Sequence, residues 1–299
     1  MLRLSFLSLI YVLATLLTVR AGPLVERQLS TLTTAQINSF NPYALFAKSA
    51  YCDPATTQAW SCTSCSQLTG FKTVASGGNG GSVQYWYVGY YPTFSSIVVG
   101  YQGTDPSKFE AILTDLSFIP ITPSQSLFPG LPSAAKVHGG FLNAYTASQA
   151  AVLAAIQQAA STYGTKKVTF IGHSLGGALS VISAASMKLR LGSSYTFKVV
   201  TYGSPRIGDR DWASWVDSNL DITRIGNKKD PVPILPGRSL GFQHSKGEIH
   251  IRNSDSAWVN CPGNDNTASG CTIADTPNIL VSNVMDHLGP YNGITIDGC

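Results

Sequence analysis

The stretch from Val168 to Ile182, VTFIGHSLGGALSVI, constrains this chain more than any other. Val168 to Ile171 is a β-branched and aromatic run that reads as a strand buried on both faces. Small helix formers follow from Leu175 onward. Between the two sits Ser174, with Gly172 two residues before it and Gly176 two after. A strand that turns at once into a helix brings the two backbones together, and side chains at the glycine positions would collide. Such a turn strains the serine backbone and lifts its hydroxyl clear of the sheet. Gly172-His-Ser-Leu-Gly176 is therefore read as a nucleophile elbow, with Ser174 as the nucleophile. The backbone N–H of Leu175 opens the helix, beside any carbonyl the serine attacks.

The rest of the chain fits around that unit. Thr33 to Tyr51 has a helical period that Pro42 splits in two. Phe71–Val74 and Val83–Val88 flank the turn Gly77-Gly-Asn-Gly-Gly81 and read as a hairpin. Ile97–Tyr101, Phe197–Tyr202 and Ile222–Ile225 read as strands, and Asn143–Tyr163, Leu175–Leu191 and Asp209–Leu220 as helices. Strands alternating with helices imply an α/β domain with a mostly parallel central sheet and helices on both faces.

A serine alone is a weak nucleophile, so a base and an orienting acid are required, and in this kind of fold they follow in the order serine, acid, histidine. His138 and His173 precede Ser174, which leaves His244, His250 and His287. His250 lies in the alternating strand Glu248-Ile-His-Ile251. His244 sits in a loop and is the alternative base. His287 is preferred, because its C-terminal loop can reach back over the sheet. For the acid, Asp230 follows the strand Ile222–Ile225, at a strand end where the functional groups of open α/β sheets gather. Asp209 and Asp211 read as helix caps, Asp286 adjoins His287, and Asp255 and Asp275 have no strand end to hold them.

Met1-Leu2-Arg3, an uncharged apolar run from Leu4, and small residues near Ala21 read as a signal peptide over residues 1–21, with a propeptide over 22–28. That leaves a single domain over 29–299, expected to be secreted and monomeric, with no transmembrane segment. Charged residues are only 12% of the chain, and Arg3 and Arg20 supply part of its net charge of +4. No basic block marks a nucleic-acid partner. Six cysteines in a secreted chain suggest three disulfides in any of fifteen pairings. Cys62-Thr-Ser-Cys65 lacks a second CxxC or HxxxH to complete a metal set, so no metal or cofactor is expected.

Beyond the elbow, the chain carries Tyr101-Gln-Gly-Thr-Asp105, Val137-His-Gly-Gly-Phe141, Tyr202-Gly-Ser-Pro-Arg-Ile-Gly208, Asp230-Pro-Val-Pro-Ile-Leu-Pro236, Gly241-Phe-Gln-His244 and Asp286-His-Leu288. Together they resemble the fungal class 3 lipase family, secreted α/β-hydrolases that include mono- and diacylglycerol lipases and feruloyl esterases. The resemblance runs from about Asn41 to Cys299. It implies Ser174, Asp230 and His287 as catalytic triad, Thr104 with Leu175 as oxyanion hole, and His138 and His244 as structural residues. It also implies the pairs Cys52–Cys299, Cys62–Cys65 and Cys261–Cys271. Gln102 departs from the arginine common at that place in the family, and Ser117–Lys136 does not map onto the family.

After Asp105-Pro106, a helix start, Phe109, Ile112, Leu113 and Leu116 form one apolar face. Two readings stand: an ordinary core-facing helix, or a mobile lid over the site, as the resemblance implies. The expected function is hydrolysis of carboxylic esters through an acyl-enzyme, with an acylglycerol substrate at a lipid–water interface. A feruloyl or other small ester is the alternative substrate, and a catalytically inactive binding protein the alternative of another kind.

Overall fold

The computed structural model describes residues 29–105 and 118–299. The signal peptide and propeptide readings lie outside those residues. The strands, in chain order, are β1 (Ser30–Thr31), β2 (Lys72–Gly77), β3 (Trp86–Tyr91), β4 (Ser96–Tyr101), β5 (Pro120–Ile121), β6 (Val137–His138), β7 (Lys167–His173), β8 (Thr196–Tyr202), β9 (Gly208–Asp209), β10 (Asp221–Asn227), β11 (Phe242–Gln243), β12 (Glu248–Ile251) and β13 (Trp258–Cys261). Among the described residues the main sheet has nine strands in the order β1-β13-β12-β10-β8-β7-β4-β3-β2. Its middle, from β4 through β7, β8 and β10 to β12, is parallel. Antiparallel strands close both edges. This is the α/β-hydrolase architecture.

The two faces of the sheet follow from the strand period of two. Val99, Val168, Phe170 and Val199 point to one core, covered by the helices Gln149–Tyr163 and Leu175–Leu191. Val98, Ile171 and Val200 point to the other, where Phe46 of the helix Asn41–Ser49 packs among Phe71, Tyr87 and Tyr91. Pro42 stands in the first turn of that helix, where a missing N–H costs nothing.

Two readings of secondary structure need correction. The single helix over Asn143–Tyr163 is two, Gly139–Thr146 and Gln149–Tyr163. No glycine or proline marks the break. Ser148 turns its hydroxyl back to the Tyr145 carbonyl at 3.4 Å and opens the second helix. The second hairpin strand begins at Trp86, later than expected, because the Asn79 side chain accepts from the N–H groups of Gly81 and Val83, each at 3.0 Å. Val83 therefore belongs to the turn.

Residues 118–136, which the resemblance could not place, add β5 to a second sheet of order β11-β9-β6-β5 and set Phe128, Leu131 and Ala135 into the main core. Gln102 closes the start of β3. Its Oε1 accepts from Tyr85 N at 2.9 Å, and its own N–H donates to the Tyr85 carbonyl at the same distance. Disulfides join Cys52 to Cys299, Cys62 to Cys65 and Cys261 to Cys271. Both members of the Cys62-Thr-Ser-Cys65 motif are thereby withdrawn from metal binding. Among the described residues, no helix is long and apolar enough to cross a membrane.

Candidate active site

Strand β7 ends at His173, and the helix Leu175–Leu191 begins one residue after Ser174. Ser174 has φ 57° and ψ −130°, a conformation that a side-chain-bearing residue adopts only under constraint. The constraint is visible. Ser174 N–H donates to the Tyr202 carbonyl at the end of β8 (2.9 Å), while its own carbonyl accepts from Gly177 N–H (2.9 Å). A Cβ on Gly172 would lie 2.1 Å from the Gly176 carbonyl oxygen, and one on Gly176 would lie 2.2 Å from the Tyr101 oxygen. The two glycines are what let strand, helix and the neighbouring β4 meet at one point. Leu175 is the first helical residue, so its N–H is one of those a helix leaves without an internal partner.

Thr104 follows β4 and is 8% exposed. The chain entering it runs against the serine, since a Cβ on Gly103 would stand 3.1 Å from Ser174 Cβ. On the other side, Asp230 lies in the turn after β10. Its backbone N–H donates to Asn227 O (3.0 Å), its Oδ1 accepts from Val232 N–H (2.8 Å), and its Oδ2 lies 2.9 Å from His287 Nδ1. Both side chains of the pair are 1% exposed. With Nδ1 donating to the carboxylate, the neutral ring keeps its basic lone pair on Nε2. Gly203 seats the pair: a Cβ there would be 2.8 Å from Asp230 Oδ2 and from His287 Nδ1. Tyr202 and Gly203 thus hold both halves of the site, the serine through a carbonyl and the acid–imidazole pair through a bare Cα.

The loops bearing the pair are tied to each other and to the body. Asn227 Nδ2 donates to Asp286 O (2.8 Å), and Asp286 Oδ2 accepts from Lys229 N–H (3.1 Å). Asp286 therefore joins the acid loop to the histidine loop instead of facing the imidazole beside it. His244, the alternative base, is not in this constellation. Its Nε2 donates to Pro233 O at 2.8 Å, bracing the loop after Asp230. Burial, with the Arg224 and Arg206 cations, holds it well below the ordinary imidazole range. Arg206 braces the same loop, donating to the carbonyls of Ile234 and Pro236 while its guanidinium pairs with Asp265 at 2.8 Å. Burial alone would raise the Asp265 pKa, but His244 and Arg206 outweigh it and the carboxyl lies below its usual value.

His138 caps the helix Gly139–Thr146, its Nδ1 accepting from Phe141 N–H at 3.2 Å. His250 is fully buried between Thr272 Oγ1 (3.1 Å from Nδ1) and Asp275 Oδ2 (2.9 Å from Nε2). That hydroxyl–imidazole–carboxylate row has no strained elbow and serves as a tie between β12 and the short helix Thr272–Asp275. Sequence reasoning missed it, along with Arg206–Asp265, since nothing in the spacing links those partners. The stripe Phe109, Ile112, Leu113 and Leu116 lies outside the described residues.

The fold and the strained serine turn define an α/β-hydrolase. The family model described as class 3 lipase matches residues 98–240. The chain is 28% identical over 289 residues to a lipase of Rhizomucor miehei, covering 92% of this chain and 74% of that protein. It is 29% identical over 295 residues to a secreted mono- and diacylglycerol lipase of Malassezia globosa, covering 96% and 93%. Among solved structures, the propeptide complex of Rhizomucor miehei lipase superposes with a TM-score of 0.78 at 27% identity, over 91% of this chain and 83% of that one. Lipase II from Rhizopus niveus gives 0.78 at 26% identity, over 90% and 99%. The chain belongs to the class 3 lipase family, carboxylic ester hydrolases of the α/β-hydrolase fold.

Proposed function

We propose that this chain is an extracellular acylglycerol lipase that works through a Ser174 acyl-enzyme. The observation that carries the reading is the buried Asp230–His287 pair, set against the turn from which the strained Ser174 is held. Ser174 Oγ attacks the ester carbonyl carbon and passes its proton to His287 Nε2, while Asp230 fixes the ring and stabilises the imidazolium that forms. The carbonyl oxygen, now negative, is received by the backbone N–H groups of Thr104 and Leu175. Collapse of the tetrahedral intermediate breaks the C–O bond to the glyceride alcohol, which leaves with the proton from His287. Water then attacks the acyl-enzyme, giving its proton to the same nitrogen, and the fatty acid departs as Ser174 is restored. The three disulfides and the relatives named as secreted support an extracellular setting.

The test is a rate panel on emulsified tri-, di- and monoacylglycerols and on methyl ferulate, for the wild type and two variants. Ser174→Ala and His287→Ala each lower turnover on the order of 10⁴-fold or more with the fold intact, because the two residues act as one unit. Turnover that survives His287→Ala and is abolished by His244→Ala overturns the base assignment. Methyl ferulate outrunning every glyceride overturns the lipid assignment.

A further inference from the structure

We propose that Tyr51 is a positioning residue of this site, its hydroxyl packed against the segment that enters Thr104 and tied, through the ring of His173, to the loop that carries His287. The proposal rests on the acyl-transfer reading above. Tyr51 follows the helix Asn41–Ser49, precedes the half-cystine Cys52, and is 8% exposed. Its Oη lies 2.7 Å from His173 Nδ1, across 122 residues of sequence.

The hydrogens in this row can be assigned. His173 Nε2 is 2.8 Å from the carbonyl oxygen of His287. A carbonyl only accepts, so Nε2 carries the hydrogen, and Nδ1 of a neutral ring is then the acceptor. Tyr51 must donate to it. The Gly103 backbone packs closely against the Tyr51 hydroxyl, and only glycine fits there, since a Cβ would sit 2.2 Å from Oη. The row therefore runs from Tyr51 Oη–H, packed against Gly103, to the His173 ring and on to the carbonyl of His287. One end adjoins the proposed oxyanion donor, and the other is the main chain of the proposed base.

Neutrality of His173 matters as well. Its ring centroid is 4.3 Å from that of His287, and a cation there would oppose the imidazolium formed during acyl transfer. Burial, reinforced by the His287 charge, holds His173 well below its ordinary value. The Tyr51 hydrogen bond spends the one lone pair that could take a proton. Tyr291 also donates to the His287 carbonyl, at 3.0 Å, so the loop keeps a second anchor when Tyr51 is changed.

The experiment uses the full secreted chain, with dissolved p-nitrophenyl butyrate as substrate and a phosphonate ester to count reactive Ser174. Tyr51→Phe keeps the ring and removes the hydroxyl. It lowers kcat roughly tenfold or more, less than direct removal of an oxyanion donor, with KM within about twofold and the count of reactive serine unchanged. In ¹⁵N-histidine spectra the Nδ1 resonance of His173 moves to that of a nitrogen without a donor. If Tyr51→Phe does not fold, 3-fluorotyrosine at position 51 keeps the hydroxyl, makes it a stronger donor, and changes kcat and the His173 resonance without changing KM. Wild-type kcat in the variant that folds, a rise in KM alone, or a loss of rate no larger than the loss of reactive serine overturns the proposal. Hydrolysis that persists in Ser174→Ala overturns the acyl-enzyme reading itself, whatever Tyr51 does.

Discussion

Gly203→Ala tests how closely the acid–imidazole pair must be held. Gly203 follows β8 with φ +52°, and a Cβ built there lies 2.8 Å from Asp230 Oδ2, His287 Cε1 and His287 Nδ1. Ordinary contact begins near 3.4 Å, so the pair must retreat by about 0.6 Å or the backbone must move instead. A misplacement near 1 Å costs on the order of 100-fold in rate, so a loss of tens to about a hundredfold in kcat is expected, with KM little changed. The left-handed backbone adds a second cost, about 1–2 kcal/mol of stability. Gly164→Ala separates the two effects, because Gly164 has φ +63° and a Cβ there meets nothing within 4 Å. That control should lose comparable stability in a thermal melt and keep its kcat on a dissolved p-nitrophenyl ester. Full kcat in Gly203→Ala, or an equal loss of activity in the control, would refute the claim that the bare Cα seats the pair.

Two more outcomes follow from the same geometry. Burial, partly offset by hydrogen bonding, pushes His138 down to about 4, and His173 and His244 also lie low. The unfolded chain takes up these protons near pH 6.5. Stability they contribute is thus present above pH 6.5 and lost as pH falls toward the folded values, about 2–3 kcal/mol by pH 4 for His138. Urea titrations from pH 7 to 4 should show the decline, and His138→Asn, which keeps a cap acceptor, should make it shallower; an unchanged slope would count against the assignment. Replacing Cys52 and Cys299 by alanine opens a link across 247 residues and should cost about 5 kcal/mol by chain entropy, read as a lower denaturation midpoint; a loss under about 1 kcal/mol would remove that account.

What could be read from the chain is what depends on near neighbours. The serine turn is legible because the clashes that require Gly172 and Gly176 involve atoms within a few residues or on the adjacent strand. Asp230 is legible because a strand end fixes where the chain goes next. The break at Ser148 is not, since neither glycine nor proline marks it and Ser148 is bonded to the Tyr145 carbonyl only in the folded turn. Tyr51 is not either, because only the folded sheet brings it to His173.

Charge shows the same division in another form. The sequence shows that few residues are charged and that no basic block stands out, yet it says nothing of where those charges go. Arg206 is 2% exposed, and Arg224 and Glu248 are buried as an ion pair at 3.7 Å. Arg206 with Asp265 and His244 brace the loop that follows Asp230. A cation removed from water is tolerated only when its donors are met by carbonyls and a carboxylate, so Arg206 holds those carbonyls in a narrow range of positions. The loop beyond the proposed acid is thereby fixed by groups that never face the serine. The same loop supplies the Val232 N–H that holds Oδ1 of Asp230 and leaves Oδ2 to His287.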